Sequence, residues 1–309
     1  AGNEAVTESA DYFRHLILDP KTKVVIGFIE GFRSIEKLLE VSRLAREYQK
    51  PLVILKIGRS ETGRKAAATH TGALAGTDKL HDAFFEKHGI IRVYDFEELL
   101  ETALLLTHKP LPAGTGVGAL TLSGGKVGLL ADLGDEEGIH YPSFSKETED
   151  KLSRVLPTFR TITNPLDTWG MGSSADDTPI CMDIVAQDPA IDLISVHMST
   201  PNGISKALSE SYAHIAKSTV EVAQKHHKPV VFINTMPIGF DPGIQSILSA
   251  GDVPLLLGSR TGLQAIRNII RYSSFLREAP SDESSRKMEI KLGIQALLEK
   301  PVLTESESK

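Results

Sequence analysis

Residues 23–57 read KVVIGFIEGFRSIEKLLEVSRLAREYQKPLVILKI. The first seven form a near-continuous apolar run, the pattern of a strand buried on both faces. From Ile35 the pattern changes. Ile35, Leu38, Leu39, Val41 and Leu44 recur at helical spacing, and Ser34 is placed to cap the N-terminus. Pro51 then introduces a second apolar run, PLVILKI. A strand, a helix and a strand in so short a span predict a parallel sheet with helices packed on its faces.

The alternation continues on both sides of a break. Helical patterns at 78–88 and 95–107 flank the short apolar run IIRVY at 90–94. The stretch HKPLPAGTG (108–116) then gathers two prolines and two glycines, the best domain boundary in the chain. A second series opens with the strand GVGALTL (116–122) and the helix of GKVGLLADLGDEEG. Strands follow at 191–198, 229–235 and 253–257, with helices near 204–226, 242–250 and 260–276. The expected fold class is α/β, as two tandem doubly wound parallel-sheet domains, residues 1–111 and 112–277, with 278–309 a polar linker.

Composition narrows the function. With 309 residues, 41% hydrophobic and 24% charged, the chain has apolar material for more than one core. Its 34 Lys and Arg against 40 Asp and Glu give a net charge of −6, which argues against nucleic-acid or acidic-membrane binding. The single cysteine, Cys181, excludes an intrachain disulfide and reads as a small buried hydrophobe. No apolar run approaches a membrane span and no signal-peptide pattern opens the chain, so a cytoplasmic location is expected. His81/His88 and His226-His227 lack the spacing of a ligand set, so no metal site is expected. There is no GxSxG motif, and no Ser-His-Asp triad can be argued.

In an open parallel sheet, ligands bind outside the carboxyl ends of the strands, so residues that follow strands carry the chemistry. Ser123-Gly124-Gly125-Lys126 lies between a strand and a helix. Glycines there let an anion approach the backbone, and a helix N-terminus offers free N–H groups. It is neither GxxxxGK[ST] nor GxGxxG, and a tight strand-to-helix turn explains it equally well. Asn164-Pro165-Leu166-Asp167 reads as a turn that could join the same edge, and Trp169 beyond it reads as a packing residue. Glu30 ends the first strand. His70 sits in KAAATHTGALAGTD (65–78), among residues too small to pack it, and a carboxylate beside such a ring would fix its tautomer.

Together these features resemble the ligase segment of the NDP-forming acyl-CoA synthetases, relatives of succinyl-CoA synthetase. The resemblance is carried by KIGRSETGRKAAATHTGALAG, the strand end at Glu30-Gly31, the LSGG turn and the NPLD loop, in that order. It implies flavodoxin-like domains, and ligation of a carboxylic acid to CoA driven by ATP with magnesium, through an acyl phosphate and a phosphohistidine at His70. It implies that Glu30 steadies that ring. Ser123, Gly124, Gly125 and Lys126 would hold the phosphoryl group, with Asn164 and Asp167 in the loop beside it. Lys126 stands where the family pattern expects a small residue or proline, and is expected to point to solvent.

The resemblance also implies missing parts. CoA and ATP would be bound mainly by a CoA-binding domain and an ATP-grasp domain, in the same parent chain or in a partner subunit. The first strand and phosphate-holding helix of the 1–111 domain would precede residue 1. The segment alone is therefore expected to be inactive and to associate with partners. An alternative within the resemblance is a ligand-sensing domain of a protein acyltransferase. The acid stays open, with a tilt toward aromatic or larger acids, as does the choice between ADP and GDP.

Overall fold

The computed structural model describes residues 4, 6–63, 78–157, 161–169 and 174–278. Its first sheet contains β1 (Val25–Ile29), β2 (Leu52–Lys56) and β3 (Ile91–Val93), paired in parallel in that order. The associated helices are α1 (Ser9–Leu18), α2 (Ile35–Glu47), α3 (Asp78–His88) and α4 (Phe96–Leu106). The second sheet contains β4 (Val117–Thr121), β5 (Leu166–Asp167), β6 (Leu193–Met198), β7 (Val230–Asn234) and β8 (Leu255–Leu257). Its order is β5-β4-β6-β7-β8, all parallel, which is doubly wound and flavodoxin-like. Its helices are α5 (Gly124–Glu137), α6 (Lys146–Val155), α7 (Ser174–Ala186), α8 (Lys206–His226), α9 (Pro242–Ala250) and α10 (Ser259–Arg277).

The elements form where local chemistry and burial agree. Ser34 Oγ accepts from Lys37 N at 3.2 Å to cap α2, which buries Leu38, Val41 and Ala45 on one face. Asp95 caps α4 through Glu98 N at 2.7 Å, and Asp241 caps α9, with Pro242 opening its first turn. Strands β2, β4, β6 and β7 are buried along their whole length, which explains their unbroken apolar runs.

The break at 108–116 separates the sheets but not their packing. One apolar cluster joins Val53, Leu55 and Leu99 from the first part to Val117, Leu193, Val231 and Ile266 from the second. Residues 1–276 accordingly form one compact unit. A polar network crosses the same junction: Arg267 of α10 donates to Glu98 of α4 and to Glu137 of α5, both at 2.6 Å. The polar tail from residue 279 lies outside the described residues. Among the described residues, no helix is long and apolar enough to cross a membrane, and no three His, Cys, Asp or Glu gather as metal ligands. Cys181 is buried, and burial pushes its thiol up to about 12.

Candidate functional site

The strand order of the second sheet reverses at β4, with β5 on one side and β6 on the other. The crevice between β4 and β6, at their carboxyl ends, is the switch point where ligands bind in such sheets. The turn after β4 is Ser123–Lys126. Ser123 is extended and its side chain makes no capping bond to α5; Lys126 N and Val127 N both reach Ser123 O instead. The first turn of α5 carries no acidic residue, unlike those of α1, α2, α4 and α6. The helix's own first turn therefore leaves this positive dipole end uncompensated, and Lys126 adds to it.

The turn is also open. Among the described residues, a Cβ on Gly125 would meet only Ser123 Oγ, at 3.8 Å, and none of them demands glycine there. A test follows. Gly125→Ala is expected to leave the unfolding midpoint unchanged or raised, since alanine favours a helix by up to about 1 kcal/mol. The same change is expected to weaken binding of inorganic phosphate, read by phosphorus NMR titration, by about tenfold (about 1.4 kcal/mol). Equal phosphate binding by both proteins would mean that the turn is structural only.

Lys126 does not point to solvent. Its Nζ donates to Ser199 Oγ at 2.9 Å across the switch point, and Ser199 Oγ shares a 2.7 Å hydrogen bond with Thr235 Oγ1. The expectation from sequence failed because the partner lies just past β6, far along the chain. Burial lowers the Lys126 pKa, and no carboxylate pairs with its ammonium among the described residues. Beneath it, on β6, His197 is fully buried and burial holds its pKa at about 3, so the ring is neutral. Its Nε2 pairs with Ser195 Oγ at 3.0 Å, while its Nδ1 and the nearby Thr121 Oγ1 lack partners. The loops after β6 and β7 are joined. Asn234 Oδ1 accepts from Thr200 N and Asn234 Nδ2 donates to Ile238 O, both at 3.1 Å, and Asp241 N donates to Thr200 O at 2.9 Å. Ser199 and Thr235 were missed in the sequence, although each follows an apolar run at the ligand edge.

Asp167 ends β5 in register with Thr121 and so reaches the same edge; its Oδ1 accepts from Trp169 N at 3.0 Å. Asn164 does not. Its amide accepts from Ala119 N at 3.1 Å and donates to Val117 O at 2.8 Å and to Pro142 O at 2.9 Å. These bonds occupy Asn164 at the amino-terminal half of β4, where it satisfies the strand's free edge ahead of the short β5, away from the Ser123 turn. Trp169 is 55% exposed, so it is not the packing residue the sequence suggested.

Glu30 follows β1 at the carboxyl edge of the first sheet, and its Oε2 is buried without a hydrogen-bond partner. Lys56, in register with Ile29, is 3% exposed and donates to Ile57 O at 2.6 Å; burial lowers its pKa. A buried acceptor awaiting a donor fits an imidazole N–H. His70 lies outside the described residues.

The sequence model of the succinyl-CoA ligase like flavodoxin domain matches residues 1–106. The chain is 32% identical to an acetate–CoA ligase (ADP-forming) of Methanocaldococcus jannaschii over 288 residues, 91% of this chain and 39% of that protein. It is 28% identical to a 4-hydroxybutyrate–CoA ligase (ADP-forming) of Nitrosopumilus maritimus, over 90% of this chain and 39% of that one. Among solved structures, the dinucleotide forming acetyl-coenzyme A synthetase 1 of Ca. Korarchaeum cryptofilum, in complex with phosphate and ADP, superposes with a TM-score of 0.74 at 23% identity. That match covers 89% of this chain and 58% of that one, and concerns the fold. The chain thus spans about two fifths of the length of these sequence relatives.

Proposed function

The chain belongs to the family of ADP-forming acyl-CoA synthetases, and we propose that it supplies the phosphoryl-transfer core of an enzyme that joins a carboxylic acid to CoA using ATP. The observation that carries this reading is the switch-point turn. An uncapped helix N-terminus at Ser123–Gly125, open to approach, stands beside an ammonium that pairs with no carboxylate among the described residues. Such a site fits a phosphoryl dianion.

In this reading an imidazole nitrogen of His70 attacks the terminal phosphorus of ATP. A P–N bond forms as the P–O bond to ADP breaks. The phosphoryl group then passes to a carboxylate oxygen, which yields an acyl phosphate and restores the free ring. The CoA thiolate attacks the acyl carbon and orthophosphate leaves with the C–O bonding pair; the thiol proton goes to solvent. Glu30 accepts the second ring N–H and holds the attacking nitrogen in the correct tautomer. Ser123, Gly124, Gly125 and Lys126 hold the phosphoryl oxygens, and Asp167 borders them. Asn164, committed to β4, keeps the strand edge in place. Magnesium accompanies the nucleotide and offsets its phosphate charge; it and CoA would be held mainly by CoA-binding and ATP-grasp domains in the same protein or a partner subunit. Among the described residues β1 pairs with β2 alone, and this edge supports such association. Ile26 and Phe28 (43% and 52% exposed) lie along it, with the Phe96 ring 5.1 Å from that of Phe28.

The test is acid-labile phosphate on the protein at its full natural length after exposure to labelled ATP, discharged by a carboxylic acid and released as orthophosphate with acyl-CoA once CoA is also supplied. Glu30→Gln is expected to keep the fold and to slow the appearance of label by about 10- to 100-fold, since a neutral amide orients the ring less firmly. An unchanged labelling rate in rapid-quench measurements would remove Glu30 from the mechanism.

A further inference from the structure

The mouth of the switch-point crevice is apolar in places where no packing requires it. Trp169 stands two residues past β5 and is 55% exposed; Met236 and Ile238, past β7, are 46% and 45% exposed. In the strand order β5-β4-β6-β7, these two groups follow the strands on opposite sides of the crevice, β5 and β7, which lie about 14 Å apart at the usual strand spacing. Between them runs the chain Lys126–Ser199–Thr235, and Met236 follows Thr235 directly.

On each side hydrogen bonds anchor the backbone beside these residues. Trp169 N bonds Asp167 Oδ1, and Asn234 ties the Met236–Ile238 loop to Thr200. Large apolar side chains fixed at the rim of a cationic crevice match a ligand with one anionic end and an apolar body. Acetate would fill the charged centre and touch neither wall.

We propose that Trp169, Met236 and Ile238 are specificity-determining walls for the acyl group, and that the acid carries an apolar body of several carbons, its carboxylate end held at Lys126, Ser199 and Thr235. This rests on the ligase reading above and gives it a substrate class. Each wall contact adds selectivity for large acids over small ones without changing the charged centre.

The experiment measures kcat/KM for acetate and for 3-phenylpropionate with the full-length protein, its Trp169→Ala and Met236→Ala variants, and Lys126→Met. Trp169 and Met236 are exposed, so their truncation leaves the fold intact. The wild type is expected to prefer 3-phenylpropionate, and each wall variant to lose that preference by about 10-fold or more while acetate is little changed. Lys126→Met is expected to lower both acids alike. Equal losses for both acids in the wall variants, or a wild-type preference for acetate, would overturn the substrate class and leave the ligase reading standing. No activity with either acid, or with a wider panel, would overturn both.

Discussion

His70→Ala in the full-length protein is expected to abolish phosphate labelling by ATP and to cut acyl-CoA formation by about a thousandfold or more, since loss of a covalent nucleophile removes the relay itself. The sequence around His70 contains only alanine, threonine and glycine nearby, so truncating the ring is expected to cost within about 0.5 kcal/mol of stability. Activity and fold therefore separate in this variant. The measurement is mass spectrometry of the labelled protein, with the phosphate shown to be acid-labile and base-stable, followed by a chase. Label on His70 that disappears when acid is added, with acyl-CoA and labelled orthophosphate formed once CoA is present, establishes both half-reactions. Acyl-CoA formation at the wild-type rate by His70→Ala would remove the relay. A protein that binds ATP yet never labels would point to ligand sensing on the same scaffold.

The fold was legible wherever burial on both faces writes a continuous apolar run. PLVILKI, GVGALTL and IDLISVHM became β2, β4 and β6, each trimmed by one or two residues at its ends. Of the elements missed, α1 carries a legible stripe at Ala10, Phe13 and Ile17, while three others have weak patterns. In α6, KETEDKLSRV, only Thr148 and Leu152 are buried, so there is no apolar stripe to read. In α7, Pro179 argues against a helix, and β5 is only two residues long. The site was legible in the same uneven way. Ser123–Gly125 and Glu30 follow strands, and the edge rule finds them. Asn164 was placed beside them because it is three residues from Asp167. Its amide is instead spent on the backbone of β4. Lys126 was read as solvated because its partner, Ser199, is brought to it only by the pairing of β4 with β6.

Glu98→Ala is expected to carry the largest stability loss, about 3–5 kcal/mol, because it removes one of the two carboxylates that hold Arg267 and takes a buried acceptor from several donors at once. Glu98 is fully buried. Its Oε1 accepts from Arg267 Nη2 at 2.6 Å and from Asn268 Nδ2 at 3.0 Å, and its Oε2 accepts from Tyr94 N at 2.8 Å. The alanine variant takes all three bonds away at the contact that joins α4 to α10, and leaves Arg267 with Glu137 and Asn268 Nδ2 with Thr102 Oγ1. Arg260→Ala, at the half-exposed end of the same network, is expected to cost under about 1 kcal/mol. The pair should be compared by urea midpoints at constant slope. Glu98→Ala with Arg267→Ala is expected to cost less than the two singly, with about 1–3 kcal/mol of coupling. Equal midpoints for Glu98→Ala and Arg260→Ala would show that the network is solvated and contributes little. The junction would then be held by the apolar cluster alone. With the expected result, the ionic tether helps fix the two sheets to each other, and with them the edges that carry Glu30 and the Ser123 turn.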